Sequence, residues 1–210
     1  MSPPTKYAVA LFPGFQALDV FGPLDTLNWT SRRQHFELSL LHTSLEPVST
    51  QSEGISACIG QSVVPTHTYD TAPEDIEVLI VPGGFGARDP KNTERVRKFV
   101  KERYPKLSYL LTVCTGSVIV AQTGLLDGKN ATSNKLAFDW VLTQGINVKW
   151  ARKARWVVDG NIWTASGISA GIDMTYAFIA DQYGQDVADD TAKGSEYVRN
   201  TDPNEDPFAV

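Results

Sequence analysis

Apolar runs in this chain alternate with segments in which apolar residues recur every three or four positions. The runs are rich in β-branched residues and fall at Tyr7–Phe12, Phe36–His42, Val78–Val81 and Ser108–Val113, so they predict strands. Helical spacing predicts helices over Pro23–Trp29, with proline in the first turn, and over Thr93–Tyr104, where Val96, Phe99 and Val100 share a face. Thr115–Thr123, stopped by Gly124, and Lys135–Thr143 and Ile172–Tyr183 complete the helical set. Two β-hairpins are expected, around Ser56–Pro65 and over Trp156–Thr164 with Asp159-Gly160 as its turn. Strands alternating with helices imply a mainly parallel sheet covered on both faces, because right-handed crossovers place helices there.

Such sheets hold ligands beyond the carboxyl ends of their strands. Three predicted turns lie at that end: Phe12-Pro13-Gly14, Pro82-Gly83-Gly84 and the corner at Cys114. In LSYLLTVCTGSVIVAQTGLL an apolar run stops at Cys114 and a helical pattern begins one residue later. A thiol at a helix start meets unpaired N–H groups and the positive end of the macrodipole, which predicts a depressed pKa. A drop of about two units would raise the thiolate fraction more than tenfold. Gly83 and Gly84 let backbone N–H groups approach a ligand, and Asp19 is expected in the loop before the first helix, placed to relay a proton. Each has a plainer alternative: a buried cysteine, a tight turn, a helix cap.

Composition narrows the function. The 210 residues, 42% hydrophobic, suit one domain with a substantial core from about residue 6 to residue 184, and the polar stretch from about 188 to 210 reads as a surface-lying tail. A net charge of −5 with scattered basic residues argues against a nucleic-acid partner. The densest basic stretch, Lys149–Arg155, reads as a solvated hairpin. The N-terminus lacks the apolar core of a signal peptide and no run reaches the roughly 18 residues a membrane span needs, so a cytoplasmic protein without a membrane partner is expected. In that compartment Cys58 and Cys114 are expected free. His35, His42 and His67 show no metal-ligand spacing, a third glycine is missing after Gly84-Phe85-Gly86, and no Walker loop occurs; no metal or organic cofactor is expected.

Taken together, AVALFPGFQALDVFGPLDTLN, VLIVPGGFGARD, VCTGSVIVAQTGLLDGKNATSN and IWTASGISAGIDMTYAFI resemble the ThiJ/PfpI superfamily. The resemblance runs from about Tyr7 to Tyr183. It implies a flavodoxin-like three-layer α/β sandwich of the class I glutamine amidotransferase type, and a homodimer. Within the superfamily the motifs are most similar to the isonitrile hydratase branch. That likeness implies Cys114 as nucleophile with Asp19 and Thr115 as catalytic partners, and Gly83 and Gly84 as backbone donors. The reaction implied is addition of water to an isonitrile, giving an N-substituted formamide. Two departures stand out. Thr115 occupies the position where peptidase-like members carry His, and Asn134, in Ala131-Thr132-Ser133-Asn134, stands where many relatives place His. Asn134 can orient a substrate but cannot shuttle a proton. The other readings are a glyoxalase-like or deglycase-like enzyme acting on the aldehyde methylglyoxal, and a redox or ligand sensor using Cys114 without turnover.

Overall fold

The computed structural model describes residues 2–52 and 59–209. In chain order the strands are β1 (Lys6–Ala10), β2 (Glu37–His42), β3 (Val48–Ser49), β4 (Ser62–Val63), β5 (His67–Thr68), β6 (Val78–Val81), β7 (Tyr109–Thr112), β8 (Asn130–Ala131), β9 (Lys149–Trp150), β10 (Trp156–Asp159) and β11 (Ile162–Ala165). The α-helices are α1 (Ala17–Thr30), α2 (Pro90–Arg103), α3 (Gly116–Ala121), α4 (Phe138–Gln144), α5 (Ala170–Tyr183) and α6 (Gln185–Gly194).

Seven strands form the main sheet in the order β10-β11-β7-β6-β1-β2-β5. Every pairing is parallel except β10 with β11. The central strands are YAVA, VLIV and LLT, and their side chains are buried on both faces, which is why they read as continuous rather than alternating apolar runs. Helices α1, α5 and α6 pack together on one side, and α2, α3 and α4 on the other, giving the three-layer flavodoxin-like α/β architecture that the alternation predicts.

Several local expectations change. Helix α1 begins at Ala17, six residues before Pro23, so that proline lies inside the helix and Asp19 in its first turn rather than in a preceding loop. The extra turn follows from Gly83, whose carbonyl accepts the Gln16 N–H at 2.8 Å and whose N–H caps the Asp19 carboxylate. Helix α4 starts at Phe138, not Lys135, because the Asn134 side chain accepts the Ala137 N–H and turns the chain first. The hairpin at Asp159 is present, but Asp159 pairs with Ile162 as a strand position and the turn is Gly160-Asn161. It does not merely decorate the sheet: β11 adds directly to β7. The expected hairpin at Ser56–Pro65 falls partly outside the described residues, as does Cys58; within them, Ser62–Val63 pairs with Val48–Ser49.

The basic stretch at Lys149–Arg155 is not a solvated hairpin. Lys149 and Trp150 pair with β8, while Arg155 is buried and ion-paired with Asp173 at 2.6 Å. The chain after Ala188 lies largely on the surface but is not all tail. Helix α6 runs on to Gly194, and the segment beyond it returns across the protein, with Asp206 buried against Arg155 and Lys135. Among the described residues, no helix is long and apolar enough to cross a membrane.

Candidate active site

The carboxyl ends of β1, β6, β7 and β11 converge. Strand β7 leads through Val113 into Cys114, whose φ of +57° places a non-glycine residue in the left-handed region. This reversal lifts the thiol out of the sheet before α3 begins at Gly116, a strained corner held by its neighbours. The Cys114 N–H donates to the carbonyls of Ser166 (2.9 Å) and Ala165 (3.2 Å) at the end of β11, and its carbonyl accepts from the hydroxyls of Ser117 and Ser133. Residues from three elements therefore fix one backbone turn.

Asp19 reaches the same place from α1. It is 0% exposed, and its Oδ2 accepts the Gly83 N–H at 2.9 Å. The Gly83 N–H and then the Cys114 thiol pull the carboxyl's pKa down, and among the described residues Oδ1 has no hydrogen-bond partner. A buried carboxylate oxygen without a donor is costly, and it stands ready to accept a proton. Burial is the dominant influence on this acid, raising its pKa to about 7.

The thiol departs from the sequence expectation. Burial, followed by the negative charge of Asp19, pushes Cys114 up to about 12. The N–H groups of Thr115 and Ile168 and the Thr115 hydroxyl pull in the opposite direction and are outweighed. The macrodipole argument fails for a physical reason. Helix α3 is six residues long, and Cys114 is only 6% exposed, so desolvation of a thiolate outweighs a short helix's field.

The glycine turn also plays another part than expected. Gly83 is buried with its N–H committed to Asp19, and the Gly84 N–H donates to Thr115 Oγ1 at 3.0 Å, so neither donor is open to a ligand in this arrangement. Gly83 must be glycine because a Cβ there would lie 2.5 Å from the Thr115 nitrogen and 2.6 Å from its Oγ1. The backbone donors beside the sulfur are instead those of Thr115 and Ile168. Ile168 is itself left-handed, with φ of +44°. The sequence signal that could have found it is the Ser166-Gly167-Ile168-Ser169-Ala170-Gly171 run after β11.

Cys114 and Thr115 open into a cavity of about 160 Å³ walled by Gln16, Gly84, Phe85, Arg88, Asn134, Leu136, Ala137 and Ile168. Asn134 lines it, with its Oδ1 engaged in the turn before α4. Arg88 at the rim stacks over Trp140. A larger groove of about 610 Å³ runs beside Leu18, Phe21 and Tyr176 and does not reach Cys114, whereas the smaller cavity is lined by Cys114 itself. His35, His42 and His67 lie elsewhere; His42 is buried against the Leu11 carbonyl. No group of three or more metal-ligating side chains occurs among the described residues.

Residues 5–181 match the model of the DJ-1/PfpI family. The chain belongs to the DJ-1/PfpI family. It is 34% identical over 179 residues to isonitrile hydratase of Pseudomonas putida, covering 85% of this chain and 72% of that protein. It is 25% identical to the HTH-type transcriptional regulator GbdR of Pseudomonas aeruginosa over 88% of this chain, though only 48% of the regulator. Among solved structures, a ThiJ/PfpI family protein from Pseudomonas syringae superposes with a TM-score of 0.77 at 29% identity, covering 95% of this chain and 77% of that one. Drosophila melanogaster DJ-1beta superposes with a TM-score of 0.76 at 18% identity, over 94% and 100% respectively, a likeness of fold alone. The DJ-1/PfpI family therefore supplies both an enzyme and regulators as relatives.

Proposed function

We propose that this DJ-1/PfpI protein is a cysteine-dependent isonitrile hydratase that converts an isonitrile and water into an N-substituted formamide. The observation that carries the reading is the buried pairing of Asp19 with the Cys114 thiol at a strained strand-to-helix corner, behind a cavity that Cys114 lines and in whose walls no histidine stands among the described residues. The 34% identity to an isonitrile hydratase supports the same reaction.

The thiol rests protonated, and Asp19, ionised above about pH 7, is its base. As Sγ bonds to the terminal isonitrile carbon, the S–H proton passes to the free Oδ1 of Asp19 and then to that carbon, giving a sulfur-bound thioformimidate. Water adds to the same carbon, with Asp19 carrying the water proton to the nitrogen. The C–S bond then breaks, the formamide carbonyl forms as the hydroxyl gives up its proton, and sulfur regains a hydrogen. The N–H groups of Thr115 and Ile168 stabilise charge on sulfur during bond making and breaking. The Thr115 hydroxyl, tied to the Gly84 N–H, keeps the corner and the glycine turn together.

Aldehyde chemistry on methylglyoxal has less support, since no glutamate or histidine among the described residues lines the cavity. A redox sensor has less still, because oxidation needs thiolate and this thiol is buried with a raised pKa. The test is conversion of cyclohexyl isonitrile to its formamide, followed by NMR. Wild type is expected to turn over, Cys114→Ala to be inactive with its fold intact, and Asp19→Asn to lose about 10²- to 10⁴-fold in rate. Turnover by Cys114→Ala sinks the mechanism.

A further inference from the structure

The family match stops at residue 181, yet the chain beyond it is fastened to segments that flank the site. After α6 the backbone crosses to the α4 side and is fastened at successive points. The Tyr197 hydroxyl and the Asn200 N–H both donate to Asp173 Oδ1, at 3.1 and 2.9 Å. The Pro203 carbonyl accepts the Arg155 N–H at 2.7 Å, and the Asp206 N–H donates to the Lys153 carbonyl at 3.0 Å. The Asp206 carboxylate is buried 3.9 Å from Arg155 and 4.0 Å from Lys135. It also accepts the Phe208 N–H at 3.0 Å, which sets the direction in which Phe208 leaves the turn.

Lys135 joins this fastening to the chemistry. Its ammonium donates to Thr132 Oγ1 and to the Ala154 carbonyl, and its chain neighbours Asn134 and Leu136 both line the cysteine cavity. Phe208 borders a second cavity, of about 270 Å³, that shares Asn134, Leu136 and Ile168 with the first. The two hollows are thus adjacent across three common residues. Leu136 is 98% exposed and Phe208 67%, two large apolar side chains held on pinned backbone around the second cavity. Isolated exposed apolar residues are ordinary, but a pair fixed on either side of a cavity offers a binding surface.

We propose that residues 197–209 form a strap that supplies the outer wall of the substrate site, with Phe208, Leu136 and Ile168 making an apolar subsite for the nitrogen substituent of a bulky isonitrile. This rests on the hydratase reading for the identity of the substrate, but the subsite itself concerns any apolar electrophile that reaches Cys114. A methyl substituent ends within the first cavity; a cyclohexyl ring extends into the second.

The experiment compares wild type, Phe208→Ala and Phe208→Leu with methyl and cyclohexyl isonitrile. Loss of about 1 kcal/mol of apolar contact corresponds to roughly a fivefold change in binding. Phe208→Ala is expected to raise KM for cyclohexyl isonitrile about fivefold with kcat and the methyl isonitrile KM unchanged, and Phe208→Leu is expected to restore most of the loss. Equal effects on both substrates, or none, overturn the strap as a specificity wall. If wild type hydrates neither isonitrile, the hydratase reading fails separately, and the subsite is read by saturable alkylation of Cys114, mapped by mass spectrometry. There Phe208→Ala is expected to weaken pre-binding of N-cyclohexyl iodoacetamide about fivefold relative to iodoacetamide; an unchanged ratio overturns the proposal. A variant that changes the solution mass of the protein while leaving both ratios unchanged assigns Phe208 to contact between copies and likewise overturns it.

Discussion

The chemistry at Cys114 is decided by which of two groups gives up its proton. Burial raises both pKa values, to about 7 for Asp19 and about 12 for Cys114, so near neutrality the carboxylate ionises first and the thiol waits for a substrate. It follows that kcat/KM for an isonitrile should rise through about pH 7 as Asp19 deprotonates and stay level through pH 9, which a pH-rate profile measures; a profile rising only above pH 9 would mean that free thiolate is the reactant. Stability runs the other way. The folded-state pKa of Asp19 lies above its usual value of 3.8, so the folded protein holds more protons between those values and stability falls as pH rises from about 4 to 7. Asp19→Asn is therefore expected to raise Tm more at pH 8 than at pH 5. The elbow and its residue types were legible in the sequence, because a strand pattern breaks into a helix pattern at one cysteine. The sign of the cysteine's pKa shift was not, because the tertiary packing that buries the thiol and the charge of Asp19 beside it come from distant segments.

Secondary-structure elements place these groups, and one close tolerance lies where a strand end meets a helix start. The turn after β6 passes under the start of α3 with no room for a side chain at Gly83, whose N–H simultaneously holds Asp19. Gly83→Ala must therefore push Thr115 away or release the carboxylate. We expect a destabilisation of about 1–3 kcal/mol, typical of overpacking, together with loss of activity at least as large as the stability change would explain. Thermal unfolding beside turnover checks this; an active, stable Gly83→Ala protein would show that the turn has slack. The same residues explain where pattern reading misplaced a boundary. Proline suggested that the first helix starts at Pro23, but the Gln16 N–H bond to Gly83 starts it at Ala17 and brings Asp19 inward. Helix periodicity was visible within the segment, while the partner that nucleates its first turn lies 64 residues away from Asp19.

Across the whole molecule, the segment least readable from sequence is the one after Ala188. Its polar composition and two prolines, Pro203 and Pro207, suggest exposure, yet one carboxylate buried between Lys135 and Arg155 anchors it. Charged residues in a sequence do not announce their partners, and here the partners come from the α4 approach and from β10's entry. Removing such a carboxylate leaves buried cations short of compensation, which costs more than the pair itself contributes. Lys135 makes that cost dependent on pH. Burial lowers its pKa to about 8, against a usual 10.5, with Asp206 the largest influence in the opposite direction. Below pH 8 the folded protein carries an ammonium that needs Asp206; above it the amine is neutral and needs it less. Asp206→Asn is therefore expected to destabilise by about 1–3 kcal/mol at pH 6.5, with a smaller penalty at pH 9.5. The remaining penalty at high pH reports the contact with Arg155. Chemical denaturation at the two pH values measures both parts. A penalty that does not shrink at high pH would assign the anchor to Arg155 alone, and no penalty at either pH would mean that the hydrogen bonds to the Pro203 carbonyl and from the Asn200 N–H hold the segment without its charge.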